Sequence, residues 1–207
     1  RKKRKFNHAF SFQRKAERLI KEDITMNDFI EEILVSEEEI DTICDRIAAD
    51  ISRDYANSSK KLLLICILKG SVVFMGELMK KITLPLEIDF MKVSSYGRSS
   101  KSSGSINIIL DLVRSDLPQT DILIIEDIID SGNTLYMLKA YLEEKGAKSV
   151  SICTLLDKPD RRSIDFTADY KGVVIPDKFV VGFGLDYDEK YRNLPFVGVL
   201  KPEVYSK

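Results

Sequence analysis

The sequence predicts an α/β domain built on a mainly parallel, twisted sheet flanked by helices. Three observations predict it. Short apolar runs at 62–68, 122–125 and 150–156 have the length and composition of fully buried strands. Segments with apolar residues at helical spacing lie before and between those runs. The resulting alternation of strand and helix is the pattern of parallel α/β architectures.

The elements follow in order. Ser36-Glu37-Glu38-Glu39 reads as a capping box, in which the Ser hydroxyl accepts from the Glu39 amide and the Glu39 carboxylate reaches back. Ile40, Ile43, Ile47 and Ile51 then recur on one face, so the spacing predicts an amphipathic helix over 37–54. The strand at 62–68 is interrupted by Lys69-Gly70-Ser71, and 72–81 reads as a helix. Residues 86–93 and 106–112 read as further strands. Residues 98–105, rich in Ser, Gly and charge, are expected to form a mobile loop. After the strand at 122–125, Leu135, Leu138 and Leu142 mark a helix that Gly146 ends. The run at 150–156 is the next strand, and 173–174 and 179–182 supply short extended pieces.

A chain of 207 residues suits one domain with a sizeable core. No apolar run is long enough to cross a bilayer, and no membrane association is expected. Cys44, Cys66 and Cys153 each sit in an apolar pattern, without metal-ligand spacing. They read as buried thiols, which fits a cytoplasmic protein. A single histidine, His8, argues against a His-based triad or a multi-His metal site. Residues 1–25 carry nine Lys/Arg and three Asp/Glu, net +6, so the rest of the chain nets −7 within the overall −1. An acidic body gives no electrostatic reason to expect nucleic-acid binding by the main domain. The basic stretch 1–25 reads as an extension or an upstream segment. A basic arm for a partner, RNA or an anionic surface is the alternative. The single domain is expected over 26–207.

The chemistry concentrates at Glu126-Asp127-Ile128-Ile129-Asp130-Ser131-Gly132-Asn133-Thr134. Four apolar residues run into an acidic pair, then into a small polar turn that opens a helix. Ligands in open α/β sheets bind at the carboxyl ends of strands. Free amides at a helix N-terminus suit a phosphate. The neighbouring carboxylates would repel a bare phosphate, so they fit sugar hydroxyls, a divalent cation or a proton-transfer role. Neither a P-loop nor a dinucleotide fingerprint occurs in the expected context. The residues alone therefore suggest a ribose-phosphate site. The plainer alternative is an acidic strand end capped by a solvated turn.

This segment resembles the phosphoribosyl-pyrophosphate signature of type I phosphoribosyltransferases. Leu68-Lys69-Gly70, Ser94-Ser95-Tyr96-Gly97, Leu156-Asp157-Lys158, Pro176-Asp177-Lys178-Phe179-Val180-Val181-Gly182 and Leu185-Asp186-Tyr187 are similar to the hypoxanthine-guanine members. The tail from Glu189 to Pro195, with Val199-Leu200-Lys201-Pro202, is similar to the bacterial ones. The resemblance runs from about Met26 to the end and leaves out 1–25. It implies the type I phosphoribosyltransferase fold, with a small hood formed by the chain termini.

The resemblance also implies roles. Glu126 and Asp127 would hold the ribose hydroxyls, and Ser131, Gly132, Asn133 and Thr134 would cradle the 5-phosphate. Asp130 would act as general base or acid near N7 of the purine; read alone, it could be a helix cap. Lys69, Gly70 and Arg192 would contact pyrophosphate, although a lone strand-end lysine is more often simply solvated. Lys158 would donate to a 6-oxo group, which adenine lacks. Phe179 would stack on the base and the Val180 backbone would read its edge; without the motif, Phe179 would pass for core. Asp186 would lie at the purine side and, with Glu126 and Asp127, help hold Mg²⁺. Ser95 and Tyr96 would belong to a lid over about 94–109 that excludes water.

The implied activity is transfer of a phosphoribosyl group from phosphoribosyl pyrophosphate to hypoxanthine or guanine. Self-association as a homodimer or homotetramer is implied as well. Two rivals remain open: a regulator that senses phosphoribosyl pyrophosphate on the same fold, and a transferase preferring xanthine.

Overall fold

The computed structural model describes residues 28–95 and 106–206. The basic extension 1–25, Tyr96 and the expected loop 98–105 lie outside the described residues. In chain order the elements are β1 (Ile30–Val35), α1 (Glu37–Tyr55), β2 (Lys61–Ile67), α2 (Val72–Lys81), β3 (Leu86–Ser95), β4 (Ile106–Leu110), β5 (Thr120–Ile129), α3 (Asn133–Glu144), β6 (Ser149–Asp157), β7 (Tyr170–Val174), β8 (Val180–Val181), β9 (Val197–Leu200) and the short α4 (Pro202–Tyr205).

Six strands form the central sheet in the order β4-β3-β2-β5-β6-β7. All neighbours are parallel except β4, which runs antiparallel to β3 at one edge. The apolar runs are buried on both faces. Leu62, Leu64, Cys66, Leu123 and Ile125 point into one core with Ile40, Ile47, Ile51, Phe74 and Leu78 of α1 and α2. Leu63, Ile65, Ile67, Ile122 and Ile124 point into the other, with Leu135, Leu138 and Leu142 of α3. This period-two division of a continuous apolar run is what a strand between two helical layers requires.

The capping box forms as the sequence predicts. The Glu39 amide donates to Ser36 Oγ at 3.2 Å, and the Ser36 amide donates to Glu39 Oε2 at 2.7 Å. Gly146 follows α3 with φ +102, the left-handed turn a glycine accepts most cheaply. Two strands differ from their apolar runs. The strand expected at 106–112 stops at Leu110, where Asp111 Oδ1 accepts the Leu112 amide at 2.8 Å and turns the chain. The strand expected at 122–125 continues to Ile129, because Glu126, Ile128 and Ile129 pair with Thr154, Leu156 and Asp157 of β6. The acidic pair therefore sits inside a strand and not after it.

A second sheet, β1-β9-β8, is antiparallel and joins the two ends of the described chain into a hood. Its own core holds Ile30, Val181, Leu194 and Leu200. The hood loop approaches the main sheet closely at Gly184. This residue has φ +99, and a Cβ there would collide with the carbonyl oxygen of Gly70. Both constraints demand glycine. Gly184→Ala is expected to cost about 1–3 kcal/mol, the scale of a residue forced into sparsely allowed backbone space. Urea unfolding checks it, through a lower midpoint with unchanged slope.

Candidate active site

The sheet order places a topological switch between β2 and β5. From β2 the chain passes to β3 on one side, and from β5 to β6 on the other. Such a point opens a crevice at the carboxyl ends of the two strands. Lys69, Gly70 and Ser71 leave β2 there, and residues 126–134 end β5 there. A polar cavity of about 350 Å³ is lined by Leu68, Gly70, Ser71, Glu126, Asp127 and Thr134, among others. A smaller one of about 110 Å³ lies against Asp130, Ser131, Gly132 and Thr134, and also reaches Glu126.

Glu126 and Asp127 are half-buried and next to each other. Burial pushes the Glu126 carboxyl well above its ordinary value, with the Asp127 charge adding to the effect. Burial also pushes Asp127 up to about 6, against hydrogen bonds to its carboxylate. Among the described residues, neither carboxylate is within ion-pair distance of a Lys or Arg. Their main fixed partner is Ser71. Its hydroxyl donates to Glu126 Oε2 at 3.1 Å and accepts from the Asp127 amide at 3.1 Å. Asp127 also needs Gly70 beside it, since a Cβ on Gly70 would occupy the space of its carboxylate. Sequence reasoning passed over Ser71 as part of a turn, and no spacing rule marks it.

The turn after β5 is shaped for an anion. Gly132, φ +84, precedes α3, which carries no acidic residue in its first turn and no side-chain cap. The Asn133 amide donates to Ser131 Oγ at 3.3 Å, and the other first-turn amides, aided by the helix dipole, suit a phosphate. The segment after β6 braces this turn. The Ser163 amide donates to the Ser131 carbonyl at 3.2 Å, and Asn133 Nδ2 donates to Ser163 Oγ at 2.7 Å. The Asn133 side chain is thus engaged away from the turn, which leaves the backbone to act. Ser163 is a second residue the sequence did not reveal.

Asp130 and Lys158 meet because Ile129 and Asp157 are the last paired residues of β5 and β6. Each functional residue follows directly, and Lys158 Nζ lies 3.8 Å from Asp130 Oδ1. Lys158 is buried and donates to the Lys178 carbonyl at 2.7 Å, while Asp130 is more than half exposed. Asp130 makes no capping bond to α3. Phe179 follows Lys178 and is 41% exposed, so it is not plain core. Val180 is buried in β8 and pairs with Val199.

On the hood side, Lys69 follows a cis Leu68–Lys69 peptide. Its ammonium pairs with Glu189 at 3.0 Å, and Arg192 reaches the same carboxylate at 3.2 Å. Arg192 also pairs with Asp186 at 2.7 Å. No cluster of three His, Cys, Asp or Glu suited to a metal occurs among the described residues. Ser95 ends β3, and Tyr96 lies outside the described residues.

A phosphoribosyl transferase domain model matches residues 32–188. The chain belongs to the phosphoribosyltransferase family. Among its relatives is a hypoxanthine-guanine phosphoribosyltransferase of Staphylococcus aureus strain Mu50. It is 49% identical over 181 residues, covering 87% of this chain and 99% of the relative. One from Lactococcus lactis is 54% identical over 178 residues, covering 86% of this chain and 95% of the relative. A crystal structure of a hypoxanthine phosphoribosyltransferase from Staphylococcus aureus superposes with a TM-score of 0.83 at 48% identity, covering 90% of this chain and 100% of that one. A Trypanosoma cruzi hypoxanthine phosphoribosyl transferase does so at 0.81 and 39%, covering 86% and 95%. The chain is thus a transferase with the type I phosphoribosyltransferase fold, and the acidic strand end lies within the matched span.

The acidic pair makes a signed prediction about this transferase. Asp127 has a folded value above its unfolded one, so it binds protons more tightly when folded. Its burden on stability is absent below the ordinary Asp range, grows as pH rises, and is full above about 6. Asp127→Asn and Glu126→Gln are therefore expected to stabilise the ligand-free protein at pH 7–8 by on the order of 1–3 kcal/mol, about 2–4 °C in Tm per kcal/mol. The gain should vanish near pH 4. Thermal unfolding across pH checks this; variants less stable than wild type at pH 8 would contradict it.

Proposed function

We propose that this enzyme transfers the 5-phosphoribosyl group from phosphoribosyl pyrophosphate to hypoxanthine or guanine, releasing pyrophosphate and forming IMP or GMP. It would do so as a single domain over 26–207, in purine salvage, as a cytoplasmic homodimer or homotetramer. The observation that carries the reading is the Asp130–Lys158 pair standing beside the phosphate turn, at the ends of two adjacent strands. A ribose-phosphate site alone would need neither group. The names of the relatives point to the same acceptors.

In this reading the turn of Ser131, Gly132, Asn133 and Thr134 holds the 5-phosphate through backbone amides and hydroxyls. Glu126 and Asp127 accept from the ribose hydroxyls. Lys69, the Gly70 backbone and Arg192 meet pyrophosphate, which would exchange places with Glu189 between the two cations. Lys158 has one donor on the Lys178 carbonyl and others left for the purine O6. An ammonium there repels the amino group of adenine. Phe179 lies along the base plane, the Val180 backbone reads the base edge, and Asp186 stands at the purine side.

The purine nitrogen forms its bond to C1 of the ribose as the bond from C1 to pyrophosphate oxygen breaks. The proton on N7 passes to Asp130, whose exposed carboxylate faces the open crevice. Ser95 and Tyr96, in the lid, would exclude water while C1 carries positive charge. The donor set fits Mg²⁺. Glu126 and Asp127 are hard oxygen donors, half-buried and without an ion-pair partner among the described residues. With Asp186 they would hold the ion directly or through water, and substrate oxygens and water would complete its shell. The ion supplies charge neutralisation of the leaving pyrophosphate.

Offering each of the four purine bases with phosphoribosyl pyrophosphate and Mg²⁺ tests the reading. Nucleotide should form from hypoxanthine and guanine and not from adenine; no product from either 6-oxopurine sinks it. Asp130→Asn should lower kcat about 10²-fold or more, the scale of general acid–base catalysis, with little change in phosphoribosyl pyrophosphate binding. Near-wild-type turnover in that variant would remove Asp130 from the mechanism.

A further inference from the structure

Phe179 is held more firmly than a half-exposed ring needs to be. Its carbonyl accepts the Leu200 amide at 2.9 Å, and the preceding carbonyl accepts from Lys158 Nζ at 2.7 Å. Its ring then lies against a second ring. Tyr205, at the end of α4, stacks on it with centroids 4.9 Å apart and planes 22° apart. Tyr187 and Phe179 meet in a T-shaped contact at 5.7 Å and 85°, and Tyr187 meets Tyr205 at 6.4 Å and 67°. The three rings form one offset-stacked and two edge contacts, the arrangements aromatic quadrupoles favour.

Tyr205 is itself anchored. Pro202 opens α4 with φ preset for a helical turn, and the Ser206 amide returns to the Pro202 carbonyl at 2.9 Å. Lys201, just before, donates its amide to the Phe29 carbonyl at 2.9 Å and its ammonium to the Asp28 carbonyl at 3.0 Å. The C-terminal turn is thus tied to the chain entering β1, on the hood that carries Phe179. A planar ring has two faces. Tyr205 covers one, and Phe179 as a whole remains 41% exposed.

We propose that Tyr205 is a positioning residue for purine recognition, fixing the plane of Phe179 by stacking on the face opposite the base. The C-terminal turn thereby contributes to base affinity without touching the base. A side chain already held in its bound orientation loses less freedom when ligand arrives, which lowers the cost of binding. Tyr187 limits rotation of the same ring through its T-shaped contact. The inference rests on the proposed use of Phe179 as the base platform, and the experiment separates the two.

Steady-state kinetics of the full chain, with both substrates varied, test it. Tyr205→Ala should raise KM for hypoxanthine and guanine about 2- to 12-fold, the equivalent of the 0.5–1.5 kcal/mol of an aromatic pair. The KM for phosphoribosyl pyrophosphate and kcat should stay within about twofold, a split that general loss of structure would not give. Tyr205→Phe should restore the wild-type values. Tyr205→Leu keeps apolar bulk and should show the defect even if the alanine variant folds poorly. Adding Tyr205→Ala to Phe179→Ala should raise the purine KM no further, because the pair acts as a unit. An unchanged purine KM in Tyr205→Leu, with a raised one in Phe179→Ala, overturns the role of Tyr205 and leaves the platform standing. A lowered purine KM overturns it too, by showing that Tyr205 covers the face the base uses. An unchanged purine KM in Phe179→Ala overturns both.

Discussion

Two neighbouring carboxylates at the half-buried end of a strand repel each other and resist leaving water. The protein keeps Glu126 and Asp127 in that position with a serine hydroxyl, backbone amides and space left by a glycine, and without an ion-pair partner among the described residues. Nothing in packing requires the pair, and a hydrophobic strand end would be cheaper. The arrangement is coherent if the missing partner arrives with substrate, as ribose hydroxyls and a divalent cation. The rest of the site is arranged around that constraint. Ser71 comes from the turn after β2, and the phosphate turn begins four residues beyond Asp127.

Sheet topology explains why these parts can be close together. The switch between β2 and β5 brings two loops to one crevice. The register of β5 with β6 then places Asp130 and Lys158 side by side. The hood adds the third component, with Phe179 next to the Lys178 carbonyl that holds Lys158, and Arg192 sharing Glu189 with Lys69. In the proposed reading, a proton-transfer group, a base-reading cation and a phosphate turn would therefore be supplied by rigid strand ends, and the aromatic platform by a separate small sheet.

Much of this was legible in the sequence. Apolar runs and helical spacing located the central strands and helices, because buried two-sided strands and amphipathic helices leave distinct periods. Residues 120–129 show the limit. The apolar run ended at Ile125, but the ladder to β6 continued, and side chains serving a site carry no apolar signal. β1 and β9 are likewise short strands that pair across nearly the whole chain, so local pattern could not join them. The signature resemblance supplied the hood and the residue roles. It did not supply Ser71, Ser163 or Tyr205, whose importance arises from contacts with distant residues: Glu126, Ser131 and Phe179. Asp186 was expected among metal ligands; its pairing with Arg192 became visible only in three dimensions.

The central claim is that the acidic strand end is a ribose site completed by its ligand. A crystal structure of the protein with phosphoribosyl pyrophosphate and Mg²⁺ tests it most directly. The ribose hydroxyls are expected at hydrogen-bond distance, about 2.6–3.2 Å, from Glu126 and Asp127 or joined to them through the ion and its water. The 5-phosphate is expected on the amides of Ser131 to Thr134. A ribose bound elsewhere, with Glu126 and Asp127 in contact with neither sugar, metal nor metal-bound water, would contradict the claim.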